Sequence, residues 1–199
     1  MLDLIMSKFN GVKTNNAKIS AKEDLRRLAL KKLNCEADII EFYCGAGEMY
    51  HAVYSNEKSY LGVDLKKFSD KRQTIVADCE KYALIGDMSK YNFFDIDSYG
   101  SPYDVLKHII NKIGDHDKIC FCITDGTAID LRMGRVSKAL RELAGVSFSR
   151  AGKAHLIHDM IINKAITNIG EKLNRSVEII GYAKGKTGAA VRYYAFCLS

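Results

Sequence analysis

The sequence predicts an α/β fold: a mostly parallel, seven-stranded sheet with helices on both faces and an antiparallel hairpin at its C-terminal end. Three observations predict it. Short apolar runs alternate with stretches of helical periodicity through most of the chain, as in strands joined by covering helices. The first of those runs ends in Gly45-Ala46-Gly47. The last two strand-like runs have no helix between them, and strands connected that way pair antiparallel.

The elements follow in order. Residues 1–19 are polar without clear periodicity and read as an arm, leaving 20–199 as a single domain. Ser20-Ala21-Lys22-Glu23 is a capping-box signature, and Leu25, Leu28, Ala29 and Leu33 then fall on one helical face. Apolar runs at 38–43, 60–63, 74–77, 92–96 and 118–124 supply five strands. Helical periodicity between and after them is clearest at 102–113, 134–144 and 154–173. The runs 177–182 and 191–198 complete the sheet, with Lys184-Gly185-Lys186-Thr187-Gly188 as a glycine-rich turn between them.

Composition narrows the class. A chain of 199 residues is long enough for one sizeable core and short for two. Charged residues make up 27% with both signs interspersed, which excludes wholesale disorder. No apolar run approaches the ~20 residues that span a bilayer, so no membrane partner is expected. The first residues carry an early acid and no basic segment before a long apolar stretch, so a secretory signal is not expected. Cysteines at 35, 44, 79, 120, 122 and 197 form no Cys-x-x-Cys and no zinc spacing. Free thiols, a reducing cytoplasmic setting and no metal are expected. Histidines at 51, 108, 116, 155 and 158 show no metal spacing either. The formal charge of +6 leans towards an anionic partner.

The chemistry-bearing residues stand where strands end. Gly45 and Gly47 let the backbone turn tightly and approach a ligand closely. Tyr50 stands where a dinucleotide fingerprint has its third glycine, which argues against a pyrophosphate on the helix N-terminus. Asp64 closes the second strand and suits a ribose diol. Asp78 follows the third strand and could accept from an adenine amino group while the Cys79 amide donates to the ring. Each acid taken singly also reads as a strand-end or helix-cap residue.

After the fourth strand comes Asp97-Ser98-Tyr99-Gly100-Ser101-Pro102, which holds the single proline of the chain. The stretch resembles the one that methyltransferases of exocyclic amino groups carry just after strand four, where a carboxylate and a backbone carbonyl hold the amine N–H groups and free a lone pair otherwise delocalised into the ring. An aromatic beside them offers a stacking face. A purely structural reading makes Ser101 an N-cap, Pro102 the first helical residue and Asp104 the acid of the first turn.

The segment from Ile40 to Gly47 resembles motif I of S-adenosylmethionine-dependent class I methyltransferases, and Asp64 and Asp78 match their second and third motif acids. The resemblance implies a Rossmann-like fold, S-adenosyl-L-methionine as cofactor, and Glu41, Tyr43, Gly45, Gly47, Asp64, Asp78 and Cys79 as its binding residues. Asp97, Tyr99, Gly100, Ser101 and Pro102 are similar to the Asp-Pro-Phe/Tyr-Gly-Ser-Pro motif of the tRNA guanine-N2 dimethyltransferases. Ile123-Thr124-Asp125-Gly126-Thr127-Ala128 is similar to that family's Thr-Asp-x-x-Ala stretch. This implies methylation of an exocyclic amino group in RNA or DNA, with Asp97, Ser98 and Tyr99 as catalytic residues.

Two features depart from the family. Ser98 replaces the motif proline, and the chain is expected to work without that family's large C-terminal domain. Substrate grip would then fall to a partner subunit, a homo-oligomer or the arm 1–19. Lys66, Lys67, Lys71 and Arg72, then Arg132, Arg135, Lys138 and Arg141, with Lys184 and Lys186, form a candidate basic rim. The alternatives are a small-molecule or protein methyltransferase and a catalytically silent binding module.

Overall fold

A computed structural model describes residues 19–147, 156–184 and 191–199. Most of the expected arm, residues 154–155 of the third helical stretch and residues 185–188 of the glycine-rich turn lie outside the described residues. Helix α1 (Ile19–Leu33) precedes β1 (Asp38–Phe42), a short π-helical turn (Tyr50–Tyr54), β2 (Ser59–Asp64) and β3 (Thr74–Val76). Then come α2 (Cys79–Ile85), β4 (Phe93–Asp97), α3 (Tyr103–Ile109) and β5 (Ile119–Asp125). The chain continues through α4 (Ala128–Arg132), α5 (Lys138–Ala144), α6 (His158–Leu173), β6 (Val177–Lys184) and β7 (Arg192–Leu198).

The seven strands stand in the order β3-β2-β1-β4-β5-β7-β6. The first five are parallel, and β7 runs antiparallel to both β5 and β6. The chain builds outward from β1 to β3 on one side and resumes at β4 on the other. That reversal leaves a crevice at the carboxyl ends of β1 and β4, where open α/β sheets bind ligands.

Strand side chains alternate between two cores. On one face Ile40, Phe42, Phe94, Ile96, Phe121 and Phe196 pack under α2, α3, α5 and α6. Phe121 stacks between Phe94 and Phe196, with ring centroids 5.1 and 5.0 Å apart. On the other face Ile39, Phe93, Cys120, Cys122 and Ala195 pack with α1 and the π-helical turn. Cys120 and Cys197 oppose each other directly across β5 and β7, with Cα atoms 4.1 Å apart, and are joined as a disulfide. The expectation of six free thiols gives way there, because the antiparallel register brings together residues 77 apart in sequence.

Helix α1 differs from its expected form. Ile19 is already helical, so Ser20 stands inside the helix rather than capping it. Its inward stripe is Lys22, Leu25, Arg26, Ala29 and Leu33, while Leu28 is 40% exposed. Two cations therefore face the sheet, and β4 answers with two acids on the same face. Arg26 forks onto Asp95 through Nε and Nη2, both at 2.6 Å, and the Tyr54 hydroxyl donates to the same carboxylate at 2.7 Å. Lys22 donates to Asp97 at 2.6 Å. Arg26 and Asp95 are wholly buried, and a fork of parallel charge-assisted bonds suits such a site.

Such a pair adds little over a well-packed apolar substitute, but removing one member strands the other charge. Arg26→Met should therefore lower the unfolding free energy, measured by urea denaturation, by about 3–5 kcal/mol. A loss below about 1 kcal/mol would show that Asp95 finds other compensation.

Candidate active site

A cleft opens at the carboxyl ends of the central strands. Glu41, Tyr43, Cys44, Gly45, Ala46, Glu48, Met49 and Asp64 line one part of it. Lys22, Asp97, Ser98, Tyr99, Thr124, Val191 and Tyr193 line the other. Of the residues expected from sequence, Glu41, Tyr43, Gly45, Asp64, Asp97, Ser98 and Tyr99 are brought together here. Gly47, Asp78 and Cys79 do not line the cleft.

The turn after β1 carries three positive φ angles: +63° at Tyr43, +48° at Gly45 and +86° at Gly47. A side chain added at Gly45 would meet nothing nearer than 3.9 Å, so this part of the turn stands open. Asp64 binds the turn across the crevice. Its Oδ2 accepts from the Gly45 amide at 3.0 Å and its Oδ1 from the Lys66 amide at 2.9 Å. Each oxygen keeps acceptor capacity for a hydroxyl. Leu65, the next residue, is exposed and offers an apolar surface beside that carboxylate.

Asp78 is occupied differently from expectation. Its carboxylate caps α2, accepting from the Lys81 amide at 2.8 Å, because the unpaired amides at a helix start are its nearest donors. The Cys79 thiol lies inward, donating to the Val63 carbonyl at 3.4 Å and accepting from the Tyr43 amide at 3.3 Å. Burial pushes that thiol up to about 12. The pair thus joins the start of α2 to the back of the turn.

The cleft is acidic where β1 meets β4. Glu41 is buried, accepts the Tyr60 hydroxyl at 2.5 Å, and is pushed up to about 8 by burial and by the Asp95 charge. Burial also works to raise Asp97, but Arg26 and Lys22 outweigh it and hold that carboxyl below its usual range. Asp97 is therefore an ionised acceptor. Its Oδ2 takes the Lys22 ammonium, while Arg26 Nη2 stays 3.9 Å from Oδ1. Lys22 also lies over the Tyr193 ring, 5.8 Å from its centre.

The segment after β4 is fastened to β5. The Ser98 hydroxyl lies 3.1 Å from both the Gly100 and the Thr124 carbonyls, and the Gly126 amide donates to the Gly100 carbonyl at 2.9 Å. A side chain at Gly126 would stand 2.2 Å from the Tyr99 carbonyl, so glycine permits this contact. Where the family's proline would constrain φ, a serine hydroxyl tethers the loop. Tyr99, 65% exposed, stands at the mouth of the cleft.

Helix α3 begins at Tyr103, one residue later than the capping reading placed it, and Pro102 holds the cap position without a side-chain bond. Behind the loop, Asp125 accepts from Tyr103 and His158 at 2.6 Å each, and from the Thr127 amide and hydroxyl at 2.8 and 2.6 Å. His158, expected near the surface, is buried in this network.

Other expectations change at the rim. Arg72 is buried at 6% exposure against the glycine turn. Lys184 pairs with Asp159 at 3.1 Å, and Lys186 lies outside the described residues. Lys66, Lys67, Lys71, Arg132, Arg135 and Lys138 are exposed. Among the described residues no group of three His, Cys, Asp or Glu is placed to hold a metal ion, and no helix is long and apolar enough to cross a membrane.

Sequence reasoning missed Lys22, Arg26, Tyr193 and the inward role of Arg72. Lys22 and Arg26 left one signal. They are four apart on a helix and share a stripe with Leu25 and Ala29, opposite acids spaced two apart on a strand.

No protein-family model matches the sequence, and comparison with curated proteins finds no match. Solved structures do match. The plantazolicin methyltransferase BpumL, in complex with a triazolic desmethylPZN analog and SAH, is 13% identical over 99% of this chain and 90% of its own, with a TM-score of 0.55. Trm1 from Pyrococcus horikoshii, in complex with S-adenosyl-L-methionine, is 13% identical over 94% of this chain and 56% of its own, with a TM-score of 0.63. Magnesium protoporphyrin IX methyltransferase from Synechocystis PCC 6803, with bound SAH, is 12% identical over 100% and 94%, with a TM-score of 0.53. The fold is that of the class I methyltransferases.

On this methyltransferase fold the raised Glu41 has a consequence for stability. Glu41 prefers its proton when folded, so its contribution is complete below the ordinary value of 4.5 and is lost as pH rises through about 8. Glu41→Gln copies the protonated form. Its stability advantage over wild type should grow across that window to the order of a few kcal/mol in urea melts. An advantage that does not vary with pH would contradict this environment.

Proposed function

We propose that the protein is an S-adenosylmethionine-dependent methyltransferase that methylates an exocyclic amino group of a nucleobase in RNA or DNA. The observation that carries the reading is the meeting, in one cleft at the fold's switch point, of the Asp64-bound glycine turn and the Asp97–Tyr99 segment.

The residues fit the cofactor. Gly45 leaves its side of the turn open, Asp64 suits the ribose hydroxyls, and exposed Leu65 suits the adenine face. Asp64 and the ionised Asp97 place negative charge on the cleft wall, which favours a ligand carrying positive charge. When bound, S-adenosylmethionine supplies a methyl group on a sulfonium, which departs as a neutral thioether.

The protein's part is orientation. Asp97, kept ionised by Arg26 and Lys22, accepts an amino N–H and turns the nitrogen lone pair out of conjugation with its ring. Tyr99 gives the base a stacking surface. Ser98 holds both in register with β5 through its bonded carbonyls. The exposed lysines and arginines of the rim suit a phosphate backbone. The similarity of the Asp97–Pro102 and Ile123–Ala128 segments to tRNA guanine-N2 dimethyltransferases supports RNA as the substrate.

A second reading is transfer to a peptide or small molecule. The structures matched over most of their own length include methyltransferases named for plantazolicin and magnesium protoporphyrin IX. Labelled methyl transfer from S-adenosylmethionine should be measured on bulk RNA, DNA, protein and small-molecule fractions. Label should enter nucleic acid, and Asp97→Asn should lower it about 100-fold while cofactor affinity persists. Asp64→Ala should weaken cofactor binding by at least about tenfold. Label confined to protein or small molecules contradicts the nucleobase reading, and a folded protein without affinity for S-adenosylmethionine or its demethylated product contradicts methyl transfer altogether.

A further inference from the structure

The glycine turn is gripped from behind by a residue that the proposed reaction does not use. Arg72, from the β2–β3 connection, donates to the Cys44 carbonyl through Nη1 at 3.2 Å and to the Gly45 carbonyl through Nη2 at 2.7 Å. Asp70 holds the guanidinium in place, accepting from Nε at 2.9 Å and Nη2 at 2.7 Å, and also from the Arg72 amide at 3.0 Å. The Phe68 ring lies 5.9 Å from the guanidinium carbon. A side chain at Gly47 would meet that carbon at 2.6 Å, so the guanidinium fills the space that glycine leaves.

The consequence for the turn is geometric. In a trans peptide the carbonyl and the amide point in opposite directions, and no described peptide is cis. With the Cys44 carbonyl on Arg72, the Gly45 amide faces the other way, where Asp64 accepts it. With the Gly45 carbonyl on Arg72, the Ala46 amide is likewise turned away, and Ala46 lines the cleft. Asp64 takes the Gly45 amide and the Cys44 carbonyl takes the Gly47 amide, so in this turn, left-handed at Gly45 with φ +48°, the Ala46 amide is the donor left for an anion.

We propose that Arg72, braced by Asp70, is a positioning residue that sets the Ala46 amide of the turn to receive the carboxylate of the amino-acid arm of S-adenosylmethionine. This rests on the cofactor reading above. Arg72 does not touch the ligand. It acts through two carbonyls, and a planar fork with several donors does this where a single ammonium cannot.

The test is calorimetric titration of the full chain with two ligands. S-adenosylhomocysteine carries the amino-acid arm, whereas 5′-methylthioadenosine keeps the nucleoside and thioether without it. Arg72→Ala should weaken S-adenosylhomocysteine by ~10- to 100-fold while changing 5′-methylthioadenosine less than about threefold. Arg72→Lys should recover part of the loss. Asp70→Asn, an exposed change that leaves Arg72 in place, should give a smaller loss with the same ligand selectivity. Equal weakening of both ligands would make Arg72 a general support of the fold and overturn the proposal. Undiminished binding of S-adenosylhomocysteine in both variants would overturn it as well. Wild-type protein that binds neither ligand would instead remove the cofactor reading, and this proposal with it.

Discussion

Asp95 lies at the middle of the sheet without solvent exposure, and an unpaired carboxylate there is prohibitively costly. Arg26 offsets much of that cost by forking onto both oxygens, with Tyr54 completing the set, while burial still holds the carboxyl above its usual range. The bond also joins helix α1 to β4. Lys22, one turn before Arg26, is thereby brought over Asp97 at the edge of the cleft. The ionisation of Asp97 follows from Arg26 and Lys22, and the raised Glu41 from its burial beside the Asp95 charge on the same face.

The opposite face supports the same loop by different means. Asp125, with its four hydrogen bonds, ties β5 to the starts of α3 and α6, while Ser98 and Gly126 draw the Asp97–Tyr99 segment down onto β5. The glycine turn is also held from two sides, by Asp64 on its amide and Arg72 on its carbonyls. Each of the two segments that approach the proposed reaction is thus fixed by hydrogen bonds to the next strand or connection. A cleft built this way is set before any ligand arrives, which is the condition for orientation to accelerate transfer.

The parts legible in the sequence were those governed by local rules. Strand alternation, the turn at Gly45, Asp64 at the end of β2 and the unlinked final strands are short-range patterns, and the structure shows each. What escaped depended on distant partners. Lys22 entered only as part of a capping box and Arg26 not at all, because nothing in α1 itself shows their acids, 75 and 69 residues away. Arg72 sits among lysines and read as part of a basic rim, yet its fork turns inward to two carbonyls. Asp78 was ambiguous for the opposite reason, since a local rule, helix capping, competed with the expected ligand contact. Cys120 and Cys197 meet only through the antiparallel register of β5 and β7.

The proposed seat of S-adenosylmethionine is the crevice between β1 and β4. Amide chemical-shift mapping by NMR, with S-adenosylhomocysteine titrated into isotope-labelled protein, tests it most directly. The largest changes should fall on Gly45, Ala46, Leu65 and Tyr99, with little change around Asn168 and Lys172 in the groove between α3, α5 and α6. Changes centred on that distant groove, or none at saturating ligand, would contradict the account.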